Sequence, residues 1–139
     1  MPKQIRPSMV PLNKICAVMC NYKRPKNARK VVRQLKKLGI REIIVWNNRA
    51  KPIPEATKNI NQPHNIGPRG KYLAGLHTKK PYVLISDDDN LITKAGLDAL
   101  RKWASVYPVV SQVGDIYLEF DPITGYRKRK RYHSHRSEE

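Results

Sequence analysis

The chain has 139 residues, with 28 Lys or Arg against 11 Asp or Glu, so its formal net charge is +17. Its length supports one domain around a single core, and its hydrophobic fraction of 40% is typical of a folded protein. The charge favours a polyanionic partner or substrate: nucleic acid, nucleotide phosphates or an anionic membrane surface. No run approaches the ~20 apolar residues of a membrane span. Residues 1–13 lack the apolar segment of a secretory signal, so we expect neither feature.

Residues 1–13 are polar and contain prolines, which indicates an N-terminal arm or a short edge element. Three continuous apolar runs follow, at residues 15–20, 43–46 and 82–85. Such runs are typical of strands buried on both faces of a parallel sheet. The first run holds both cysteines, Cys16 and Cys20, which on one strand lie about 13 Å apart, too far for a disulfide. We therefore expect reduced thiols in an intracellular protein.

Helical patterns separate these runs. Apolar residues at three- and four-residue spacing from Ala28 to Leu38 predict a helix with a basic outer face, capped by Gly39. A shorter helix is predicted at residues 69–77, and a third begins after Thr93 as its cap. Alternating strands and helices predict an α/β fold: one open, mainly parallel sheet flanked by helices.

The sequence after Pro108 predicts a short β-rich segment instead. Residues 109–110 and 116–120 resemble strands, and residues 121–125 resemble a turn. A hairpin would pair the second strand with residues 126–132.

Three segments follow from these patterns: an arm at residues 1–13, an α/β domain at residues 14–126, and a basic tail or edge strand at residues 127–139. The last segment opens with five consecutive basic residues flanked by two tyrosines, which suits contact with a nucleic-acid backbone. These five residues are Arg127, Lys128, Arg129, Lys130 and Arg131.

Polar side chains follow each apolar run. The first run ends at Asn21, the second at Asn47 and Asn48, and the third at an acidic run, residues 87–89, of three aspartates. Ligands of open α/β sheets bind beyond the carboxyl ends of the strands. The sequence therefore predicts that these groups meet at one edge.

The acidic run, Asp87, Asp88 and Asp89, needs a counter-charge, which a divalent cation supplies. Carboxylates are the hard oxygen ligands that Mg²⁺ and Mn²⁺ prefer. The alternative is a solvated acidic turn that caps the helix starting near Thr93. Residues 65–71 can likewise be interpreted in two ways. They form either a phosphate-binding loop, in which glycines allow close approach and cations supply charge, or an ordinary loop before a helix.

Four segments, in order, resemble the nucleotide-binding half of GT-A-fold glycosyltransferases. Residues 20–25 resemble the turn after the first strand, and residues 43–48 the strand ending in Asp-Asn or Asn-Asn. Residues 65–70 resemble the Asn-x-Gly segment before a helix, and residues 82–89 the strand ending in the metal-binding D-x-D motif. The likeness covers residues 14–104.

The resemblance implies a metal-dependent transfer of a sugar from a nucleotide-diphosphate donor, with a uridine diphosphate sugar preferred. Asp89 would be the main ligand of Mn²⁺ or Mg²⁺, with Asp87 beside it and His133 or His135 as a late third ligand. The donor would contact a larger set of side chains, comprising Cys20, Asn21, Tyr22, Arg24, Asn47, Asn48, Asn65, Gly67, Arg69, Lys71, Asp87 and Asp88.

The acceptor half is the main departure from the family, whose members usually continue well beyond this point. Asp115, Glu119 and Asp121 are the candidates for a catalytic base, and each has the alternative of being an ordinary surface residue. A second copy of the chain in a homo-oligomer, or the acceptor itself, could complete the site.

The charge suggests that the acceptor is a polyanion, such as hydroxymethylated phage DNA, in the cytoplasm of a bacterial or virus-infected cell. Positive charge that only aids solubility and donor binding is the alternative. Two other functions remain open: a non-catalytic nucleic-acid-binding module, and a phosphoryl-transfer enzyme with a nucleophilic Asp. The latter enzymes carry D-x-D-G-T, whereas Asn90 and Leu91 follow Asp89 here. A degenerate transferase that binds a donor without turnover is a further possibility.

Overall fold

The computed structural model describes the backbone of residues 6–120 and 127–133, and the side chains of residues 6–112. The chain divides into two compact units. The first unit is Val10–Lys94, and the second combines Met1–Met9 with Ala95–Glu139.

The first unit contains a four-stranded parallel sheet, in the order β3-β2-β1-β4. This confirms the predicted α/β fold with helices flanking a parallel sheet. In chain order its elements are a 3₁₀ turn (Leu12–Lys14), β1 (Ile15–Asn21), α1 (Pro25–Lys37), β2 (Glu42–Asn48), β3 (Lys58–Gln62), a 3₁₀ turn (Gly67–Arg69), α2 (Gly70–Ala74), a 3₁₀ turn (Gly75–His77) and β4 (Tyr82–Ile85).

Helix α1 follows directly from its sequence. Pro25 occupies its first turn, where a missing N–H costs nothing. Its buried residues are Ala28, Val31, Val32 and Leu35 of the predicted apolar stripe, whereas the fifth member, Leu38, is the C-cap residue and is half-buried. Gly39, at φ +97°, ends the helix: its N–H donates to the Lys36 carbonyl at 2.9 Å, and the next N–H, of Ile40, donates to Leu35 at 3.1 Å. Those two bonds form a Schellman motif, with Gly39 as the predicted C-terminal cap.

Two features of the sheet differ from the prediction. Strand β4 is an outer strand of this sheet, and its side chains alternate, with Val83 and Ile85 exposed by 41% and 44%. The expectation that this run is buried on both faces was therefore wrong. Strand β3 was not predicted, because its Lys-Asn-Ile-Asn-Gln sequence has one apolar residue and low β-propensity.

One face of the sheet packs against α2. Cys16, Val18, Ile44 and Trp46 form a buried cluster with Ala74 of α2. Cys16 and Cys20 lie in β1 as free thiols, the first buried and the second partly exposed. Burial raises the pKa of Cys16 to about 11, so its thiol stays protonated at neutral pH.

Most of α3 (Lys94–Ala104) and the hairpin of β5 (Val113–Phe120) with β6 (Arg127–His133) belong to the second unit. Strand β5 pairs antiparallel with β6, and the turn that the sequence predicts between them lies outside the described residues. Residues 109–110 form no strand, contrary to the prediction; Val109 is 84% exposed, and no neighbouring strand pairs with it among the described residues. No helix in the described ranges is long and apolar enough to span a membrane.

Candidate functional site

The carboxyl ends of β1, β2 and β4 meet at one edge of the sheet, as the parallel topology requires. Asn21, the last residue of β1, pairs in register with Asn47 of β2. On the other side of β1, Val18 pairs with Ile85, and the N–H of Ser86 donates to the Val18 carbonyl at 3.0 Å. The acidic run therefore leaves β4 beside the end of β1. We call this edge the carboxyl-edge site.

Arg24 links the turn after β1 to the acidic run. Its Nη2 donates to Oδ1 of Asp88 at 2.7 Å, and its Nη1 donates to Oδ2 of Asp89 at 3.0 Å. One guanidinium thus bridges two carboxylates, and the side chain of Asp88 is only 13% exposed. Hydrogen bonding to Asp89 and the charge of Asp88 raise the pKa of Arg24.

Lys71 of α2 supplies the second counter-charge. Its ammonium donates to Oδ1 of Asp87, and the Lys71 side chain is 12% exposed. Partial burial acts to lower the pKa of Lys71, but the hydrogen bond and charge of Asp87 outweigh it, so the pKa is raised. The ion pair ties α2 to the end of β4.

Asp88 is the most buried of the three acidic side chains, and this burial changes the pKa of its carboxyl group. Burial raises the pKa of Asp88 above its ordinary value, although Arg24 acts in the opposite direction. A second positive charge close to Asp88 would therefore be favourable.

A row of hydrogen-bonded asparagines joins the carboxyl ends of β1, β2 and β3. Asn21 Nδ2 donates to Oδ1 of Asn47 and to the Lys51 carbonyl, both at 2.9 Å. Asn47 Nδ2 in turn donates to Oδ1 of Asn59 and of Asn61, at 2.9 Å each. Asn21 and Asn47 are fully buried, so the network fixes how β1, β2 and β3 end.

One atom of this row has no partner. Oδ1 of Asn21 is buried and accepts no hydrogen bond from the described part of the chain. Its amide orientation is fixed, because both partners of Nδ2 are acceptors. A buried acceptor of this kind can be satisfied by an internal water molecule.

Asn48 holds the loop before α2. Its Nδ2 donates to the Gly67 carbonyl at 2.9 Å, and its Oδ1 accepts from Trp46 Nε1 at 3.1 Å and Ile66 N–H at 3.2 Å. Asn65 accepts from the Gly67 N–H at 2.8 Å. Both polar atoms of the Asn48 side chain are thus engaged in positioning this loop, and its predicted contact with a donor stays a prediction.

Two glycines shape this loop for different reasons. Gly67 adopts φ +75°, a conformation that favours glycine. Gly70 has no room for a side chain, because a Cβ there would lie 2.6 Å from Cγ of Trp46. The sulfur of Cys20 also approaches the loop, 3.8 Å from the Gly67 carbonyl oxygen, and burial raises its thiol pKa.

The groups left accessible define what the carboxyl-edge site can contact. The side chains of Asp87 and Asp89 are more than half exposed, as is Arg24. Tyr22 and Arg69 are also exposed, and the Arg69 Nε donates to the Ile66 carbonyl at 3.3 Å. The accessible surface therefore combines an aromatic ring, two guanidinium groups and carboxylates.

The metal prediction can be compared with this geometry. No group of three or more His, Cys, Asp or Glu side chains converges among the residues whose side chains are described. Asp88 and Asp89 share one guanidinium, whereas Asp87 turns to Lys71. Two carboxylates that already surround one cation suit a divalent ion whose remaining ligands are water and phosphate.

The remaining predicted residues fall in the second unit. Asp115 and Glu119 lie in β5, and His133 ends β6, all described as backbone only. Asp121 and His135 lie outside the described residues. The basic run forms most of β6, pairing with β5 from Arg127↔Phe120 to Arg131↔Asp115.

The sequence-based prediction missed Asn59, whose Oδ1 accepts from Asn47 and from the Ile53 N–H at 2.8 Å. Alternation of Asn59 and Asn61 about Ile60 was the available signal, because it places both amides on one face of a strand.

Comparisons of the chain with protein-family models, curated proteins and solved structures returned no match.

Proposed function

We propose that the chain is a metal-dependent glycosyltransferase of the GT-A type, which binds a nucleotide-diphosphate sugar at the carboxyl-edge site. The observation that carries this proposal is the meeting of Asp88, Asp89 and Arg24 where β1 and β4 end. This contact adds to the motif resemblance, because Arg24 lies 64 and 65 positions before Asp88 and Asp89 in the sequence and still meets both at one edge of the sheet.

Asp88 and Asp89 would hold Mn²⁺ or Mg²⁺ at the position that the Arg24 guanidinium occupies. A bound ion would act as a Lewis acid that offsets charge on the departing nucleoside diphosphate. Arg24, displaced from the carboxylates, is a mobile cation that can pair with a diphosphate oxygen. The exposed carboxylate of Asp87 remains anchored by Lys71 and faces the same edge.

Two kinds of interaction would bind the donor: ion pairs to its phosphates and stacking of its base on an aromatic ring. Arg69 is exposed and its Nε donates to the Ile66 carbonyl, so its Nη groups can bind a phosphate. Tyr22 is exposed in the β1–α1 turn and offers a ring for a nucleobase. Asp115, Glu119 and Asp121 stay as candidates for the base.

We further propose that the acceptor is a polyanion, with hydroxymethylated DNA as the leading case. Helix α1 presents a basic outer face of Lys26, Arg29, Lys30, Arg33, Lys36 and Lys37. Among the residues whose side chains are described, the ion pairs of this face join Arg29 and Arg33 to the carboxylate of Glu55. The remaining charges, with the net +17, favour phosphate contacts whose strength falls with salt.

A thermal-shift screen of nucleotide sugars, with and without Mn²⁺, tests the donor proposal. A ligand that binds only the folded protein raises Tm, and at 100 times its Kd it contributes about 2.7 kcal/mol. Asp89→Ala should remove the metal dependence of that shift. Asp98→Ala, which removes a carboxylate from α3, serves as the matched control and should leave it intact. No shift with any uridine, guanosine, adenosine or cytidine diphosphate sugar refutes the proposal.

The acceptor proposal has a separate test. Affinity for hydroxymethylated duplex DNA is measured between 50 and 200 mM salt, and it should fall steeply over that range. Sugar incorporation into the same DNA should require a responding donor and Asp89. DNA affinity that ignores salt contradicts a phosphate-based acceptor site, whereas salt-dependent binding that survives Asp89→Ala without any transfer supports the alternative of a binding module.

A further inference from the structure

Strand β4 forms an open edge of the parallel sheet. It is the outer strand beside β1, and no strand among the residues with a described backbone pairs with its other side. The N–H of Ser86 donates to the Val18 carbonyl at 3.0 Å, so Ser86 and every second residue before it turn their backbone groups towards β1. Because these groups alternate along a strand, Val83 and Ile85 turn theirs outward. The edge therefore offers the N–H and C=O groups of both residues to a further strand.

The side chains of Val83 and Ile85 lie on one face of this edge and are exposed. Their register partners in β1, Cys16 and Val18, belong to the cluster that packs under α2, so Val83 and Ile85 face the same side. Gly75 lies next to Val83, since a Cβ there would be 3.6 Å from Cγ1 of Val83, but it has no side chain to cover it. The edge thus combines free backbone groups with two uncovered aliphatic side chains.

The charges at the two ends of β4 have opposite signs. Residues 82–85 carry no charge, whereas Lys79 and Lys80 precede them and the acidic run follows them. Lys79 is exposed, and no carboxylate lies within ion-pair distance of it among the described side chains. Asp87 and Asp89 are exposed as well. A strand of this pattern complements an antiparallel copy of itself, because a parallel copy would bring like charges together.

We propose that two copies of the chain associate through β4, which pairs antiparallel with β4 of the second copy and joins the two sheets into one. The interface is isologous, with a two-fold axis perpendicular to the sheet. One register uses all the outward backbone groups: Val83 lies opposite Ile85 of the second copy, and the two copies of Leu84 lie opposite each other. Each N–H and C=O of Val83 and Ile85 then bonds across the interface.

This register also matches the side chains. Val83 packs against Ile85 of the second copy on the α2 face, and the symmetry makes the same contact twice. Lys79 comes beside the acidic run of the second copy, so each carboxyl-edge site gains a cation from the other chain. The dimer does not depend on the glycosyltransferase proposal, because none of its contacts uses a donor or a metal.

Sedimentation equilibrium of the full chain, from micromolar to submillimolar concentration, tests the association. Salt at about 0.15 M limits repulsion between the two basic chains to a Debye length of about 8 Å. We expect a monomer–dimer equilibrium. Val83→Lys should raise its dissociation constant by at least about tenfold, because the symmetry places two lysines in one interface. Val109→Lys adds the same charge at another exposed valine, outside β4, and should leave the constant unchanged.

A cysteine at the two-fold axis tests the register. Air oxidation should join Leu84→Cys chains by a disulfide, because opposed residues of a non-hydrogen-bonded antiparallel pair have Cα atoms about 4.5 Å apart. Val83→Cys is the matched control: it lies opposite Ile85 of the second copy, so its own counterpart is farther away. Wild type, which carries Cys16 and Cys20, measures the background.

The ion pairs at the ends of the interface have their own variant. Lys79→Glu should raise the dissociation constant by about twofold to fivefold, because it brings a carboxylate beside the acidic run of the second copy. Lys30→Glu makes the same charge change on the exposed face of α1 and should have no such effect. An unchanged Tm for each variant shows that its fold is retained.

Three results would overturn the inference. The first is a chain that stays monomeric at submillimolar concentration; slow hydrogen exchange of the Val83 and Ile85 amides in that monomer would assign the edge to another segment of the same chain. The second is equal weakening by Val83→Lys and Val109→Lys, which would assign the association to a different surface. The third is cross-linking of Val83→Cys as fast as that of Leu84→Cys, which would contradict the register.

Discussion

Asn21 of β1 donates a hydrogen bond to Asn47 of β2 at 2.9 Å, and the two are register partners at the carboxyl ends of their strands. Both side chains are fully buried. Asn47 is therefore the central member of the row of hydrogen-bonded asparagines. Its contribution to the stability of the fold can be measured in the absence of any ligand.

Asn47→Asp should lower the free energy of unfolding by about 1–3 kcal/mol, because a buried carboxylate cannot donate to Asn59 and Asn61. Asn59 cannot reverse its amide, since its Oδ1 accepts from the Ile53 N–H and its Nδ2 donates to the Ile53 carbonyl. Urea unfolding at pH 7 measures the loss. The matched control is Asn61→Asp, which is exposed and keeps its role as acceptor. It should stay within about 0.5 kcal/mol of the wild type, and equal losses for both variants would refute the assigned directions.

Gly70→Ala should destabilise the protein by about 1–3 kcal/mol through overpacking. The new Cβ would meet the buried ring of Trp46, which is held by its hydrogen bond to Asn48. Gly75→Ala is the control: its Cβ would lie at an ordinary 3.6 Å from Val83, and it should gain about 0.4–1 kcal/mol by restricting the unfolded chain. Opposite signs in urea unfolding are expected. A neutral Gly70→Ala would show that Trp46 can move.

Arg24→Met should strengthen Mn²⁺ binding in the absence of donor, by roughly threefold to tenfold, because the ion no longer competes with the two solvent-screened ion pairs of the guanidinium. This prediction follows because Asp88 and Asp89 both form ion pairs with the guanidinium of Arg24. Isothermal titration calorimetry with Mn²⁺ measures the change. Arg29→Met removes an equal charge away from the site and should have little effect. Weaker Mn²⁺ binding by Arg24→Met would contradict competition between ion and guanidinium.

The stabilising contribution of Glu55 should disappear in acid. Hydrogen bonds from Arg29, with Arg33 beside it, lower the pKa of Glu55 from 4.5 to about 2. A carboxyl whose folded pKa is depressed stabilises the protein above its unfolded pKa, and this contribution falls as pH drops from 4.5 towards 2. The Tm difference between wild type and Glu55→Gln should therefore shrink across that interval. Added salt should shrink it at pH 7 too, since the group is exposed to solvent screening. A difference that is constant with pH would refute the ion-pair account.

The sequence alone determined the elements whose signals are local. The apolar stripe of α1 and Gly39 after it identify that helix and its C-terminal cap, because both depend on residues within a few positions. The runs that became β1, β2 and β4 were equally clear, and parallel pairing of these strands follows from the helices between them. The meeting of their polar ends at one edge was therefore predictable.

Tertiary structure decided what those polar residues do. Asn47 and Asn48 became positioning residues because β3, which the pattern did not reveal, and the loop at Gly67 brought them partners from distant positions. The exposure of β4 depends on its place in the strand order, which no local pattern encodes. The division of the acidic run between Arg24 and Lys71 likewise arises only when β1, α2 and β4 are packed together, because charge pairing depends on distance in space.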